Sequence, residues 1–357
     1  LKKMKLFVAI LFLNTFCVIF AADRKWQAIT PGGNTICSKG GSFSFFYRPG
    51  SEGNNNLVIE YEGGGACWDD FSCSIGSFKS TVNVKEELET LSQAGNGIHD
   101  QNDERNAFKD FNHLFIPYCS ADAHGGNKTT KYNDFITLHH RGRVNSLTAL
   151  NWVFKKMPDP SVVGIVGCSA GSLGAIVNAP YVMSHYTNAK DMFYFGDSYV
   201  GVLSKPQFID GFNNWDLEFS NSVPALSKAN LEKICNDTTI TNPGINIFRA
   251  TATQFDQFRF ASYTSNDDVV QRSFYKLGGG AGLWTTNMRS LVTTLHKDVK
   301  LYGSYIAAGS HHCRSQSPDY YTVTSGKNNV KLYEWVKQVS TDTVENDAVD
   351  CEPNCYA

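Results

Sequence analysis

A serine stands in the middle of a short glycine-flanked segment, Gly-Cys-Ser-Ala-Gly at residues 167–171. An apolar run at 162–166 precedes the segment, and a stretch compatible with a helix follows it as far as Val177. Such a segment between a buried strand and a helix is typical of a sharp turn that exposes a nucleophilic serine. A glycine-rich turn with an incidental serine is the alternative. The flanking strand and helix favour the nucleophile, so we predict that Ser169 attacks a carbonyl carbon.

A serine hydroxyl needs a base to take its proton, and a carboxylate commonly orients that base. On the fold that uses this turn, the chain order is serine, acid, histidine. His311 and His312 follow a predicted strand at 299–308, late in the chain. Asp268 lies near the end of another predicted strand, at 259–263. The residues alone leave the acid open among three candidates: Asp256, Asp267 and Asp268.

A glycine loop at 63–65 directly follows a short apolar run at 57–59. The negative oxygen that forms during acyl transfer needs N–H donors that are held in place beforehand. A plain flexible loop is the alternative reading. Because the glycines come straight after a predicted buried strand, we predict an oxyanion hole built from four residues: Gly64, Gly65, Ala66 and Ala170.

Predicted helices, among them 145–154 and 330–339, alternate with the apolar runs. This pattern predicts an α/β fold, with a mostly parallel sheet and helices on both faces. Ligand sites in such sheets lie beyond the carboxyl ends of the strands. We expect one α/β-hydrolase-like domain over residues 23–340, with an irregular cap insertion at 205–246. An acidic, loose tail that contains cysteines is expected at 341–357.

Residues 1–22 contain three lysines, an apolar run and a final pair of alanines. That layout predicts a secretory signal peptide. A membrane anchor is the alternative, but the run is short for a membrane span and no later stretch is apolar enough. Nine cysteines follow residue 22, and an oxidising compartment favours disulfides between them. The odd number leaves at least one thiol free or paired between chains. Sequons at Asn127 and Asn236 also agree with a secreted glycoprotein.

The charge pattern and the cysteine spacing exclude two classes of partner. The net charge is −2 and no basic block occurs, so we expect no nucleic-acid binding. Cys351 and Cys355 lie close together, but neither a CxxC pair nor histidine ligand spacing accompanies them. We therefore predict no metal site. Acyl transfer by serine also requires no organic cofactor.

A set of short segments occurs in one order between about residues 37 and 312. The set comprises Tyr-Glu-Gly-Gly-Gly-Ala-Cys-Trp at 61–68 with Cys73 beyond it, Pro-Tyr-Cys-Ser-Ala-Asp at 117–122, Arg-Gly at 141–142, the serine segment at 167–171, Asp-Ser at 197–198, Asp-Val-Val-Gln at 268–271 and Gly-Ser-His-His at 309–312. Together they resemble the pectin acetylesterase family, which also includes the Notum-type carboxylesterases.

The resemblance implies roles for two of the open candidates. Asp268 matches the family's Asp-x-x-Gln segment, whereas Asp256 lacks that spacing, so Asp268 is the expected acid. His312 matches the family's catalytic histidine. Two departures concern the pocket, because Ala66 and Ser172 stand where family members often have an aromatic residue and a glycine.

The resemblance also implies disulfide pairs. It pairs Cys37 with Cys119 and Cys67 with Cys73. By the same comparison Cys313 is expected to pair with one of the two C-terminal cysteines, Cys351 or Cys355.

The function that the resemblance implies is that of a secreted serine carboxylesterase. The expected substrate is an O-acyl ester, with an acetyl group on a polysaccharide as the first choice. A Notum-like removal of a fatty acyl chain from a protein is the first alternative and needs a deep apolar pocket. A non-catalytic carbohydrate-binding glycoprotein on the same fold is the second, since a fold alone does not establish chemistry.

Overall fold

The computed structural model describes residues 24–341 and 347–355. The predicted signal peptide at 1–22 lies outside the described residues. Within them, the strands are β1 (Gln27–Ile29), β2 (Phe45–Arg48), β3 (Leu57–Tyr61), β4 (Asn112–Ile116), β5 (Lys128–Lys131), β6 (Thr137–His140), β7 (Val162–Cys168), β8 (Asp191–Asp197), β9 (Arg259–Ser265), β10 (Tyr302–Ala307), β11 (Thr324–Ser325), β12 (Val330–Lys331) and β13 (Ala348–Asp350).

The helices connect these strands and account for most of the remaining regular structure. The α-helices are α1 (Asp70–Ser74), α2 (Val84–Leu91), α3 (Gly142–Lys156), α4 (Ala170–His185), α5 (Lys205–Trp215), α6 (Lys228–Asn236), α7 (Gly244–Gln254), α8 (Val269–Leu277), α9 (Trp284–Asp298) and α10 (Leu332–Thr341), with short 3₁₀ helices at Gly97–His99, Pro224–Leu226 and Pro318–Tyr321. Throughout the described part of the chain, no helix combines the length and apolar character needed to cross a bilayer.

One sheet dominates the described chain, with the strand order β1-β2-β4-β3-β7-β8-β9-β10-β13. The pairs from β4 through β13 are parallel, whereas β1 and β2 join one edge in antiparallel pairing. The predicted fold class, an α/β protein with a mostly parallel sheet, is confirmed.

Strand β7 lies between β3 and β8 and is buried from Val163 to Cys168. It is almost entirely apolar because a central parallel strand has both faces covered. Residues that alternate along β7 enter two separate apolar cores, with Ile165 in one and Val166 in the other. The strand therefore has no solvent-facing side, and its carboxyl end opens at the edge where the serine follows.

Helices cover both faces of the sheet. Apolar side chains of α3, α4, α7 and α9 share one core with the strands, including Leu150, Ile176 and Phe248. Side chains of α10, such as Trp335 and Val339, form the core on the opposite face. Because the two cores lie on opposite faces, the sheet is packed as the middle layer of three.

The predicted insertion at 205–246 lies between β8 and β9. It consists of helices α5 and α6 and the beginning of α7, joined by loops. Helix α7 packs against α4, the helix that follows the serine. The insertion therefore lies close to the carboxyl edge of the sheet.

The expectation of a loose tail is wrong for residues 348–355. Strand β13 pairs in parallel with β10, with Val349 opposite Tyr305. Val349 is buried against the α10 side of the sheet, and Cys351 forms a disulfide with Cys355. Apolar burial and a covalent loop order a segment whose acidic composition had suggested disorder.

Truncating a side chain in β7 tests whether this strand is the centre of the core. Ile165 is 0% exposed, whereas Phe135 is 97% exposed in the loop between β5 and β6. We expect Ile165→Ala to lower the free energy of unfolding by about 2–5 kcal/mol, because it leaves a cavity. The matched control Phe135→Ala should change it by less than about 0.5 kcal/mol. Urea denaturation of both variants measures the difference, and equal effects would contradict the description of the core.

Candidate active site

Ser169 occupies the turn between β7 and α4. Its backbone has φ 58° and ψ −125°, a left-handed conformation that is uncommon for residues with a side chain. Its N–H donates to the carbonyl of Asp197 at 2.9 Å, and its carbonyl accepts the N–H of Ser172 at 2.9 Å. A strained turn that persists because its surroundings hold it is a recurrent feature of functional sites. The turn has the form expected of a nucleophile elbow.

The glycines on either side of the turn are required by close approach. A Cβ on Gly167 would overlap the backbone of Gly171, and a Cβ on Gly171 would overlap the backbone of Tyr61 and Glu62. The first turn of α4 therefore lies directly against the end of β3. Only glycine at these two positions allows that contact.

Asp268 and His312 lie in direct contact. The Nδ1 atom of His312 is 2.8 and 2.9 Å from the two carboxylate oxygens of Asp268. Asp268 is fully buried at the start of α8, where Oδ1 accepts the N–H groups of Val270 and Gln271. The Gln271 side chain donates to Oδ2 at 3.0 Å. With the proton of His312 on Nδ1, the carboxylate holds the ring so that Nε2 is left as the basic atom.

The other candidates lie elsewhere. Asp256 is exposed at the end of α7, and Asp267 forms an ion pair with Arg272 at the surface. His311 is also exposed. Neither aspartate shares the contact that Asp268 makes with His312.

His312 Nε2 is buried and has no hydrogen-bond partner within the described residues. His312 and Ser169 both line one cavity at the carboxyl edge of the sheet. An imidazole nitrogen without a partner, beside a serine on a strained turn, is the arrangement a general base needs to take the hydroxyl proton.

Three of the four predicted oxyanion residues line the cavity, and one does not. Gly65, Ala66 and Ala170 line the same cavity as Ser169, whereas Gly64 is not one of its lining residues. Ala170 begins α4, and the first N–H groups of a helix have no partner within the helix. Gly64 contributes differently, because its carbonyl accepts the N–H of Lys79 at 2.8 Å and so ties down the loop.

A half-buried ion pair supports the glycine loop. The carboxylate of Glu62 contacts Lys79 Nζ at 2.8 Å and accepts the N–H of Tyr118 at 2.8 Å. The Glu62 carbonyl accepts from Nε2 of His124, also at 2.8 Å. Burial raises the pKa of Glu62 to about 7, and Lys79 opposes that shift. The glycine loop is thus fixed on both sides, a requirement for N–H donors that must already point at the developing charge.

The cavity beside Ser169 is mainly apolar. Counted out to its open mouth and including open solvent, it encloses about 910 Å³. Its walls come from four helices, with Leu173 and Val177 from α4, Phe208 and Trp215 from α5, Ile247 from α7 and Phe274 from α8. Such a lining suits an aliphatic group attached to the ester carbonyl.

The cysteines form four disulfides within the described residues. Cys37–Cys119 and Cys67–Cys73 are the pairs that the family resemblance implies. The expectation that Cys313 joins the C-terminal pair is wrong, because Cys313 bonds Cys168 and Cys351 bonds Cys355. Among the described cysteines, Cys235 is free and half-buried.

The Cys168–Cys313 disulfide was not predicted from the sequence, and it joins the immediate neighbours of Ser169 and His312. It explains why a cysteine stands inside the serine segment. Both predicted glycosylation residues, Asn127 and Asn236, are exposed at the surface.

A buried polar cluster was also missed. Glu60 in β3 contacts Nε2 of His113 at 2.6 Å and Nε2 of His99 at 2.8 Å, and Gln316 donates to it as well. Burial raises the pKa of Glu60, but the two histidines outweigh that effect and hold it below the usual range. Burial lowers the pKa of His113 to about 4. The charged residue in an apolar strand was the signal in the sequence.

This cluster could hold a metal ion only by giving up its own hydrogen bonds. The ligand atoms of Glu60, His99 and His113 lie within 4.8 Å of one another. The imidazole N–H groups already satisfy the carboxylate, and buried carboxylates are stable when hydrogen-bonded in this way. The cluster is therefore explained as a support for β3 and β4 beneath the glycine loop.

Known families and curated proteins include sequences similar to this chain. The profile described as Pectinacetylesterase matches residues 27–253. Palmitoleoyl-protein carboxylesterase NOTUM of Schmidtea mediterranea is 30% identical over 152 residues, which is 41% of this chain and 28% of the relative. Pectin acetylesterase 5 of Arabidopsis thaliana is 23% identical over 165 residues, 45% of this chain and 38% of the relative. The chain thus matches well under half the length of each relative.

Solved structures show the same fold. The Wnt deacylase Notum from Drosophila, in its second crystal form, aligns with a TM-score of 0.65 and 15% identity, covering 93% of this chain and 98% of that chain. The first crystal form aligns with a TM-score of 0.61. At this level of identity the likeness concerns the fold alone.

Replacing the carboxylate beside His312 tests the acid–base pair. We expect Asp268→Asn to lower kcat for a p-nitrophenyl ester by about 10³–10⁴-fold, because an amide can stabilise the wrong histidine tautomer. The matched control is the neighbouring surface residue, Asp267→Asn, which should change kcat by less than about threefold, the effect of losing about 0.5 kcal/mol at the surface. Similar losses in both variants would contradict the assignment.

Proposed function

Because the chain belongs to the pectinacetylesterase family, we propose that it is a serine carboxylesterase that hydrolyses O-acyl esters. The observation that carries the proposal is the contact of buried Asp268 with His312, which lines the same cavity as Ser169 and whose Nε2 has no hydrogen-bond partner among the described residues. A binding protein would gain nothing from a strained serine turn beside an imidazole with no partner. The proposal therefore favours catalysis over the carbohydrate-binding alternative.

The reaction follows from these contacts. Nε2 of His312 takes the hydroxyl proton as the Oγ of Ser169 bonds to the ester carbonyl carbon. The carbonyl oxygen becomes negative and is stabilised by N–H donors beside Ser169, with Ala170 at the start of α4 and the loop residues Gly65 and Ala66 as the candidates. The C–O bond to the alcohol then breaks, and His312 returns its proton to the departing oxygen. Water repeats the sequence on the acyl-serine and releases the acid.

The cavity supports an acyl group longer than acetyl. A methyl group would touch few of the apolar side chains that α4, α5, α7 and α8 contribute. Each additional methylene that leaves water for such a lining contributes about 0.8 kcal/mol. We therefore place esters of a medium or long aliphatic acyl chain first among the substrates. The name of the Schmidtea mediterranea relative describes an activity of this type.

An acetylated polysaccharide is the second candidate. It rests on the family profile and on similarity to two plant pectin acetylesterases. The cavity has an open mouth, so an ester on a bulky carbohydrate could present its acetyl group to Ser169. A secreted location is part of either proposal, supported by the disulfides and the exposed sequon asparagines.

The nucleophile assignment is tested by Ser169→Ala. The methyl side chain cannot form an acyl intermediate, so we expect hydrolysis of p-nitrophenyl esters to fall by about 10⁴-fold or more, while thermal unfolding stays within a few degrees. Mass spectrometry of the intact protein after treatment with a fluorophosphonate should show one adduct on Ser169 in the unaltered chain and none in the variant. Retained activity in the variant would contradict the mechanism.

The acyl preference is tested by comparing p-nitrophenyl acetate with the octanoate ester. We expect kcat/KM to rise by about fourfold for each methylene that enters the cavity. Val177 lines the cavity, so Val177→Phe should shorten it and lower kcat/KM for octanoate by roughly fifteenfold, the equivalent of about two methylenes. The acetate ester is the internal control and should be little affected. Faster hydrolysis of acetate by the unaltered chain would favour the acetylesterase.

A further inference from the structure

Asp197 ends β8, the strand next to the one that carries the nucleophile. It lies opposite Cys168 in the parallel register and is 0% exposed. Its carbonyl accepts the N–H of Ser169 at 2.9 Å, so its main chain already supports the strained turn. Its side chain contacts the loop that follows His312.

The carboxylate of Asp197 receives the residues that follow His312. Its Oδ2 accepts the N–H of Arg314 at 2.8 Å, and both the N–H and the hydroxyl of Ser315 at 2.7 Å. Its Oδ1 accepts the hydroxyl of Ser198 at 2.8 Å. That hydroxyl oxygen in turn accepts the N–H of Cys313 at 2.9 Å. The three residues after His312 are therefore all held by Asp197 or by its neighbour.

The strand order shows why this loop needs an anchor. His312 follows β10, whereas Ser169 follows β7, and β8 and β9 lie between them. The loop must therefore pass over two strands before the imidazole can reach the serine. Between the end of β10 at Ala307 and the 3₁₀ helix at Pro318, the described loop itself contains no helix or strand.

Other contacts also restrain the histidine and its loop. Asp268, at the start of α8, binds Nδ1 and sets the direction of the ring. The Cys168–Cys313 disulfide limits how far the loop can move from the elbow. Backbone bonds hold both ends of the loop, from the N–H of Val269 to the Ser310 carbonyl and from the N–H of Ile98 to the Ser315 carbonyl. The bonds to Asp197 and Ser198 add restraint on the backbone directly after the imidazole.

Burying a carboxylate costs folding free energy unless hydrogen bonds compensate for the lost water. Burial raises the pKa of Asp197, and the hydrogen bonds from Ser315, Ser198 and Arg314 oppose that effect. A buried carboxylate with this many donors is well satisfied, but an apolar core would fold without it. The donors are the adjacent Ser198 and two residues of the loop that carries His312, while the Asp197 carbonyl contacts Ser169.

We propose that Asp197 is a positioning residue that sets His312 over Ser169. Its side chain holds residues 314 and 315 directly and residue 313 through Ser198, and its carbonyl holds Ser169. The proposal rests on the serine carboxylesterase proposed above. A displacement of about 1 Å between reacting groups can slow a reaction by about 10²-fold, so loss of the anchor should reduce reactivity without removing any group that reacts.

The experiment measures the second-order rate constant for labelling of Ser169 by a fluorophosphonate. This probe carries its own leaving group, so the result does not depend on acyl preference. We expect Asp197→Ala to slow labelling by about 10–100-fold. Asp197→Asn keeps one oxygen that can accept from Arg314 and Ser315, so it should recover most of the rate. Recovery by the amide separates positioning from an effect of the negative charge.

The matched control is Asn112→Ala. Asn112 is buried at the amino end of β4, far along the sheet from the serine edge, and it makes a similar number of hydrogen bonds, with Tyr47, Gly50, Asn54 and Asn56. We expect it to lower the melting temperature about as much as Asp197→Ala does. The labelling rate should stay within about threefold of that of the unaltered chain, because a substitution far from Ser169 acts independently of the site.

Each outcome has one meaning. If the unaltered chain is not labelled at Ser169, the carboxylesterase proposal fails first. If the unaltered chain is labelled and Asp197→Ala reacts at the same rate, only the positioning role is overturned, and equal losses in Asp197→Ala and Asp197→Asn overturn it too. If Asp197→Ala does not fold, Ser198→Ala carries the test, because it removes the acceptor of the Cys313 N–H. An unchanged rate in that variant overturns the proposal.

Discussion

Backbone hydrogen bonding between β7 and its two parallel neighbours holds the parts of the site together. The register places Tyr61 of β3 opposite Gly167, and Cys168 opposite Asp197 of β8. Parallel strands end at the same edge, so the glycine loop, the serine turn and Asp197 leave the sheet side by side. These three segments need no long loop to meet, since the ladder has already aligned them, whereas His312 reaches them on a loop from β10.

The sequence was sufficient where the signal is local. Apolar runs predicted the strands, and small residues around Ser169 predicted the turn, because both depend on residues a few positions apart. The acid was left open by the residues alone, since Asp256, Asp267 and Asp268 all remained candidates. What distinguishes Asp268 is its burial at the start of α8 against His312, which is a tertiary property. The family resemblance chose the same residue by matching segments.

Long-range features were not visible in the sequence. The Cys168–Cys313 bond joins residues separated by 145 positions, and no spacing rule connects them. Strand β13 has three residues, too few for a periodic pattern. The insertion has mixed polarity, because its helices carry polar outer surfaces and apolar faces such as that of Phe208 and Trp215 toward the cavity. Its contribution to the cavity wall appears only when those faces are brought beside Ser169.

The Cys168–Cys313 bond also changes the topology of the chain. It closes a covalent ring that contains the helical insertion and begins and ends beside the serine and the histidine. A peptide bond cut in an exposed part of that ring, such as the loop around Asn236, would yield two fragments that stay joined at the site. Ser169 and His312 would then remain covalently connected after a cut that separates the same residues in a linear chain. A ring closed at this point therefore keeps both residues on one covalent molecule whichever single bond of the insertion is cut.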